Sequence, residues 1–366
     1  MIIIHIITGL NNGGAERQLY NYLSNRKIKA SIIVISLTNC HGSKYENLLR
    51  PLVDDIIMLD FNKKIIYSWL KLAKLLYKIK PSAVQTWMYH ADFFGGITAK
   101  LFSNAKIFWN VRNGNIDRTL LSLGTFILVK INSILSKYLP DTIVYCAHSA
   151  RVEHENFGYF NTKGFVIPNG IQIDKINYSK TKNVSSTNNV VKICNISRWH
   201  PHKDHSTLIE AFVKIDLLFS DIEFHFVGKG LDHYNSKLKT MLQDHVWKNK
   251  YFLHGEITKI DSFLSNMNLF VLSSVSEGFP NVILEAQLMN VFCISTDVGD
   301  VSCLIDSDWI CAKKSPEELY IKIMNYLKLD NSLRDNILKI KIDNIITNYN
   351  INSTVSMYDE MYKSKL

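Results

Sequence analysis

The chain has 366 residues, 47% hydrophobic and 20% charged, a globular composition that excludes a low-complexity chain and leaves room for two domains of ordinary size. Its charge is uneven. Residues 1–175 hold 21 Lys and Arg against 11 Asp and Glu, and the rest holds 21 against 22, so the first half is expected to meet an anionic partner.

Ile2 to Ile7 reads as a buried strand. The opening MIIIHIITGL has no basic lead and runs into a glycine loop, so it does not read as a secretory signal. No apolar run reaches the ~18 residues of a spanning helix. The six cysteines form no C-x-x-C pair and sit mostly in apolar stretches, which suits reduced thiols in cytosol. Gly13-Gly14-Ala15-Glu16-Arg17 closes the first loop, and Ala15 to Ser24 reads as helix. It is not G-x-G-x-x-G, so a dinucleotide reading is weak. Ser31 to Leu37 gives a second strand.

Asn62 to Lys80 carries six lysines and no acid, with Lys71, Lys74 and Lys78 on one helical face. Two readings stay open here: a basic amphipathic helix on anionic membrane, or a crossover helix with solvated lysines. Ala83 to Thr86 is the next strand, and His90 stands at its end, where doubly wound sheets hold ligands. Ile107 to Val111 is a strand closed by Arg112-Asn113-Gly114. Residues 119–139 are apolar helix, 140–146 and 165–167 are strands, and Pro168-Asn169-Gly170-Ile171 is a turn. The polar, aperiodic stretch 171–189 reads as a link between domains.

Val190 to Ile196 opens the second half as a strand. Arg198 and Lys203 flank the following loop and make a clamp for a diphosphate, one forked donor and one point charge. His200, His202 and His205 lack an acid or cysteine to complete a zinc site, and no metal is expected. Leu269 to Leu272 is an apolar strand, then comes a loop with Glu277, Gly278 and Phe279, then Pro280 and Asn281 at a helix start suited to an anion. Glu285 is a lone carboxylate among Val282, Ile283, Leu284 and Ala286, and a nucleotide ribose could satisfy it. Asp306-x-Asp308 reads as a surface turn, and 315–366 as helical.

Glu277 to Glu285, two glutamates eight positions apart in E-G-F-P-N-x-x-x-E, resembles the EX7E motif of the retaining glycosyltransferases of family 4, group 1. The GGAER loop, the QTWMYHAD segment, the Pro168-Asn169-Gly170-Ile171 turn, the Arg198/Lys203 pair and the Val227-Gly228-Lys229-Gly230 turn resemble segments of the same family.

The resemblance implies an α/β GT-B fold, two doubly wound Rossmann-like domains facing a central cleft. Residues 1–170 would bind acceptor, 171–350 would bind the nucleotide sugar, and the helix 351–366 would pack back on the first domain. By resemblance, His90 and Glu277 meet the transferred sugar. Gly13 and Gly14 lie near the donor diphosphate, Gly255 lies against the base, and Arg112 meets an acceptor phosphate. Gly278, Phe279, Pro280, Asn281 and Glu285 complete the donor site.

The implied activity is a retaining, metal-independent hexosyltransferase with no cofactor. It would move a hexose or N-acetylhexosamine from a UDP-linked sugar to an anionic lipid-diphosphate glycan or lipopolysaccharide acceptor. The implied place is cytoplasmic, peripheral on the inner leaflet of the inner membrane, in capsule or O-antigen assembly. A UDP-sugar 2-epimerase, a catalytically silent nucleotide binder and a nucleic-acid binder are the alternatives. No RNP-like aromatic run or helix-turn-helix supports the last, and no nucleic-acid partner is expected.

Overall fold

A computed structural model gives the structure of residues 1–11, 13–114, 116–118, 121–173 and 190–366. In chain order the first elements are β1 (Ile2–Ile7), α1 (Gly14–Asn25), β2 (Ser31–Ser36), α2 (Lys44–Leu49), β3 (Asp55–Met58), α3 (Ile65–Ile79), β4 (Ala83–Trp87) and α4 (Tyr89–Phe102). Then follow β5 (Lys106–Val111), α5 (Leu123–Leu135), β6 (Thr142–Tyr145), α6 (His148–Phe157) and β7 (Gly164–Val166). The second half has β8 (Val191–Ile196), α7 (His205–Leu218), β9 (Ile222–Val227), α8 (Ser236–Gln243), β10 (Lys250–Gly255), α9 (Ile260–Leu264) and β11 (Leu269–Leu272). It continues with α10 (Asn281–Leu288), β12 (Phe292–Thr296), β13 (Ile310–Cys311), α11 (Pro316–Leu327) and α12 (Asn331–Asn348), and the last helix is α13 (Ile351–Lys365).

These elements form two compact units, Met1–Gly170 with Tyr349–Leu366, and Ile171–Asn348. The helix α13 therefore belongs to the first unit. Of the polar link expected over 171–189, residues 174–189 lie outside the described residues, as does the start of the apolar stretch at 119 and 120.

The first unit holds seven parallel strands in the order β3-β2-β1-β4-β5-β6-β7. The β-branched run Ile2–Ile7 makes β1 its centre, with Ile3 opposite both Ile32 and Ala83. Side chains alternate across the pleat. Ile3 and Ile7 pack beneath α1, α2 and α13, while Ile4 and Ile6 pack beneath α3, α4 and α5.

Hydrogen bonds to charge hold α13 in place. Asp359 accepts from Tyr22 Oη at 3.0 Å and from the amides of Lys27 and Ile28 at 3.0 and 3.1 Å. Each such bond contributes on the order of 1.5–3 kcal/mol. Tyr362 donates to the buried Gln85 of β4.

The second unit holds six parallel strands in the order β10-β9-β8-β11-β12-β13. Phe212 of α7 packs on Phe224 and Phe226 of β9, with ring centroids 4.8 and 5.8 Å apart. Phe292 of β12 sits between Trp309 and Tyr326. In each sheet the strand order reverses once, between β1 and β4 and between β8 and β11. Ligands of open α/β sheets bind outside the carboxyl ends of the strands at such a reversal.

Candidate active site

In the second unit the reversal loops are those after β8 and β11, and they carry Arg198, Lys203 and Glu277. A hydrogen-bonded chain fixes the first loop. Asn195 Nδ2 donates to Val271 O of β11 at 2.8 Å, and Ser197 Oγ donates to Asn195 Oδ1 at 2.8 Å. Ser197 Oγ also lies 2.9 Å from His205 Nε2, and His205 stacks on Trp199 at 4.9 Å. Burial, with the Lys203 charge second, lowers the His205 pKa to about 4, so its ring is neutral. Ser197 and Trp199 thus hold the His205 ring, and no group of three or more His, Cys, Asp or Glu placed to hold a metal ion occurs among the described residues. Gly228, with φ at +138°, lets the turn after β9 close against the Ser197 carbonyl, where any Cβ would collide.

Three bonds tie the two loops together. Val275 N donates to His202 O at 2.8 Å, Ser273 Oγ donates to Lys203 O at 2.8 Å, and Lys203 Nζ donates to Glu277 Oε1 at 2.5 Å. Ser274 Oγ donates to the same carboxylate oxygen at 2.6 Å. Lys203 is thus not the free cation that the sequence suggests: its charge faces Glu277. Arg198 is exposed at the other end of the loop. Behind them Gly299, with φ at +57°, approaches so closely that an added Cβ would lie 2.8 Å from Gly278 O.

Phe279 and Pro280 are buried, and Gly278 and Asn281 are half-buried. Pro280 is the cap of α10 rather than its first residue, because its ψ of 77° is not helical. The amides of Asn281 and Ile283 bond to the carbonyls of Phe279 and Pro280, so part of the donor set expected at this helix start is already spent. Glu285 lies on the buried side of the helix, 9% exposed. Gly255 ends β10 with φ at +64°, and its carbonyl accepts from Gly228 N at 2.8 Å.

In the first unit the reversal loops follow β1 and β4. The first carries Gly13, the cap of α1, and Gly14, its exposed first residue. The Glu16 carboxylate folds against Gly13, and burial raises its pKa. The second carries His90, half-buried in the first turn of α4. Burial lowers its pKa below the ordinary imidazole value.

Two features around His90 have no sequence signature. Met88 is held at φ +76° between β4 and α4, with its amide bonded to Asn110 O at 3.0 Å, and such strain persists only where surrounding contacts fix it. Asp92, fully buried one turn along, accepts from Thr86 Oγ1 at 2.5 Å, and burial pushes its pKa up to about 7.

Arg112 follows β5. It donates to Asn169 of the Pro168-Asn169-Gly170-Ile171 turn, to Asn110 Oδ1 at 3.3 Å and to Tyr358 Oη of α13 at 3.3 Å, and it lies 5.8 Å over the Trp87 ring. These partners are neutral, and they orient the guanidinium. Asp306 pairs with Lys341 at 2.5 Å, as suits a surface turn. The sequence-derived site residues therefore fall into two sets: His90, Gly13, Gly14 and Arg112 in the first unit, and the others in the second.

Two parallel doubly wound units place the chain in the GT-B fold class. Residues 190–328 match the family model described as glycosyl transferases group 1. The chain is 25% identical over 352 residues to the capsular polysaccharide biosynthesis glycosyltransferase CapM of Staphylococcus aureus, covering 92% of this chain and 90% of that protein. It is 26% identical over 256 residues to the UDP-Gal:alpha-D-GlcNAc-diphosphoundecaprenol alpha-1,3-galactosyltransferase of Escherichia coli, covering 67% of this chain and 65% of that one. The structure of Anabaena HepE in complex with UDP-glucose superposes over all of both chains with a TM-score of 0.82 at 16% identity.

Proposed function

We infer that this chain transfers a hexose or N-acetylhexosamine from a UDP-linked donor, with retention and without a metal, to a lipid-linked or lipopolysaccharide glycan. One observation carries the reading: the loops after β8 and β11, at the reversal of the second sheet, are tied together by the Lys203–Glu277 pair. A phosphate arriving there meets Arg198 and Lys203, and a sugar meets Glu277. The UDP-glucose bound by HepE and the diphosphoundecaprenol acceptor named for the Escherichia coli relative support the donor and acceptor classes.

In this reading Arg198, Lys203 and the start of α10 stabilise the charge that grows on the departing diphosphate, which removes the need for a metal. Glu285 holds the ribose and Gly255 lies by the base. Gly278, Phe279, Pro280 and Asn281 shape the phosphate turn. Glu277 orients the sugar hydroxyls. The sugar–diphosphate bond breaks and a bond to the acceptor hydroxyl forms on the same face, the hydroxyl proton passing to the leaving oxygen. Arg112, oriented by neutral partners among the described residues, takes an acceptor phosphate. Such an acceptor belongs at the cytoplasmic face of a membrane.

The test is an assay of UDP release from UDP-sugars, with and without a polyprenyl-diphosphate glycan. Acceptor-dependent release of UDP and a new glycosylated lipid are expected. Isomerised donor without acceptor, or no turnover of any UDP-sugar, would overturn the reading.

A further inference from the structure

Helix α5 is apolar on both sides, whereas a helix built for water buries an apolar stripe and shows a polar one. Inward, Val129 is buried with Asn132 and Ser133, and Phe126, Leu128 and Leu135 pack partly buried against the same core. The inward polar groups are satisfied: Asn132 Nδ2 donates to Tyr89 O at 2.9 Å and Ser133 Oγ donates to Lys130 O at 2.8 Å. The outward stripe is apolar at helical spacing, with Leu123 62%, Ile127 50%, Ile131 38% and Ile134 65% exposed. A groove of about 340 Å³ runs along it, flanked by Arg118 and Lys130.

The pattern extends to the neighbouring helices. α3, α4 and α5 lie side by side over one face of the first sheet. α3 buries Leu72 and Leu76 but exposes Ile66 at 76%, Leu70 at 67% and Tyr77 at 68%, and the end of α4 exposes Leu101 at 69%. Exposed lysines stand among them: Lys71, Lys74 and Lys78 on α3, Lys100 on α4, and Lys130 on α5. Neither α3 nor α5 contains an acid, and the one acid of α4, Asp92, is fully buried. Contiguous exposed apolar surface of this kind marks an interaction site.

We propose that the α3–α4–α5 face docks on an anionic phospholipid surface. Apolar side chains enter the headgroup boundary while lysines meet lipid phosphates, the arrangement of interfacial helices. The charge decides between occupants. A second copy of this face would set lysines against lysines, whereas an anionic bilayer supplies the counter-charge. The helices lie on the membrane rather than cross it: no helix among the described residues is long and apolar enough to span one.

Vesicle flotation tests this. Wild type is expected to float with phosphatidylcholine–phosphatidylglycerol vesicles and to stay behind with phosphatidylcholine alone. The double variant Ile127→Glu/Ile134→Glu should bind at least about tenfold less. Its sites are exposed, so its melting temperature should match wild type; if it does not, Ile127→Ser/Ile134→Ser is used in its place. Wild type that fails to float, or a double variant that floats equally, overturns the proposal. A wild-type dimer that forms without lipid and that the double variant breaks would also overturn it. Binding is read without donor or acceptor, so failure here is separate from failure of the transferase reading.

Discussion

Lys203 and Glu277, 74 positions apart in the chain, share a hydrogen bond of 2.5 Å between the two loops at the reversal of the second sheet. Both side chains are largely buried, 21% and 15% exposed, so neither charge is freely solvated and each depends on the other. On the proposed function, a donor phosphate arriving at Lys203 would compete with Glu277 for it, and the pair would couple phosphate binding to sugar placement.

The Glu277→Gln variant separates these roles. With the carboxylate gone, Lys203 keeps its full charge for phosphate, so UDP should bind as tightly as to wild type or more so. Transfer should fall about a hundredfold or more, the cost of a misplaced sugar. Calorimetry with UDP and a turnover assay give the two readings. A parallel loss of both would show that Glu277 acts only by holding the loops.

Arg112 makes a different prediction because it stands in the first unit among neutral partners. Arg112→Gln should raise the KM for a phosphate-bearing acceptor about ten- to a hundredfold, the worth of hydrogen bonds to charge, with UDP affinity unchanged. Initial rates at varied acceptor concentration check this. An unchanged acceptor KM would leave Arg112 as a clasp for Asn169 and Tyr358.

Stability should depend on pH through buried histidines. Burial lowers His5 to about 3 and His154 and His205 to about 4, below the ordinary 6.5. Their folded pKa values lie below the unfolded ones, so the unfolded state binds more protons between these limits. Stability is full above pH 6.5 and falls as pH drops toward 4, by about 1.4 kcal/mol per unit for each group. Asp92 opposes this. Its pKa is raised from 3.8 to about 7, so its contribution is lost as pH rises through that window. Melting temperature should therefore fall from pH 7 to pH 4.5, and more steeply in Asp92→Asn, which should gain most at pH 7. A flat profile would contradict the burial of neutral imidazoles.

Much of this was legible in sequence because it is local. The run Ile2–Ile7 is a strand on composition alone, and Arg198, Lys203 and Glu277 mark strand-end loops by their residue types. What escaped is long-range. Nothing near Lys203 announces that its partner is Glu277, and nothing near Arg112 points to Tyr358, 246 positions away. The positive φ of Met88 has no signature, since methionine carries no preference for it. Periodicity marked the stretch after Thr119 as apolar helix but could not say which stripe faces inward. The inward side is the one where Val129 and Leu135 meet the core and Asn132 reaches Tyr89 O, contacts made only in the fold.

The central claim, a nucleotide site in the second unit, is tested most directly by titrating UDP into wild type and Glu285→Ala. Glu285 is buried on α10, eight positions after Glu277, and takes no part in the Lys203–Glu277 bond. The expected result is a single UDP site on wild type, weakened about tenfold or more in the variant by loss of a charged hydrogen bond to ribose. No UDP binding by wild type, or equal binding by the variant with its fold intact, would contradict the account.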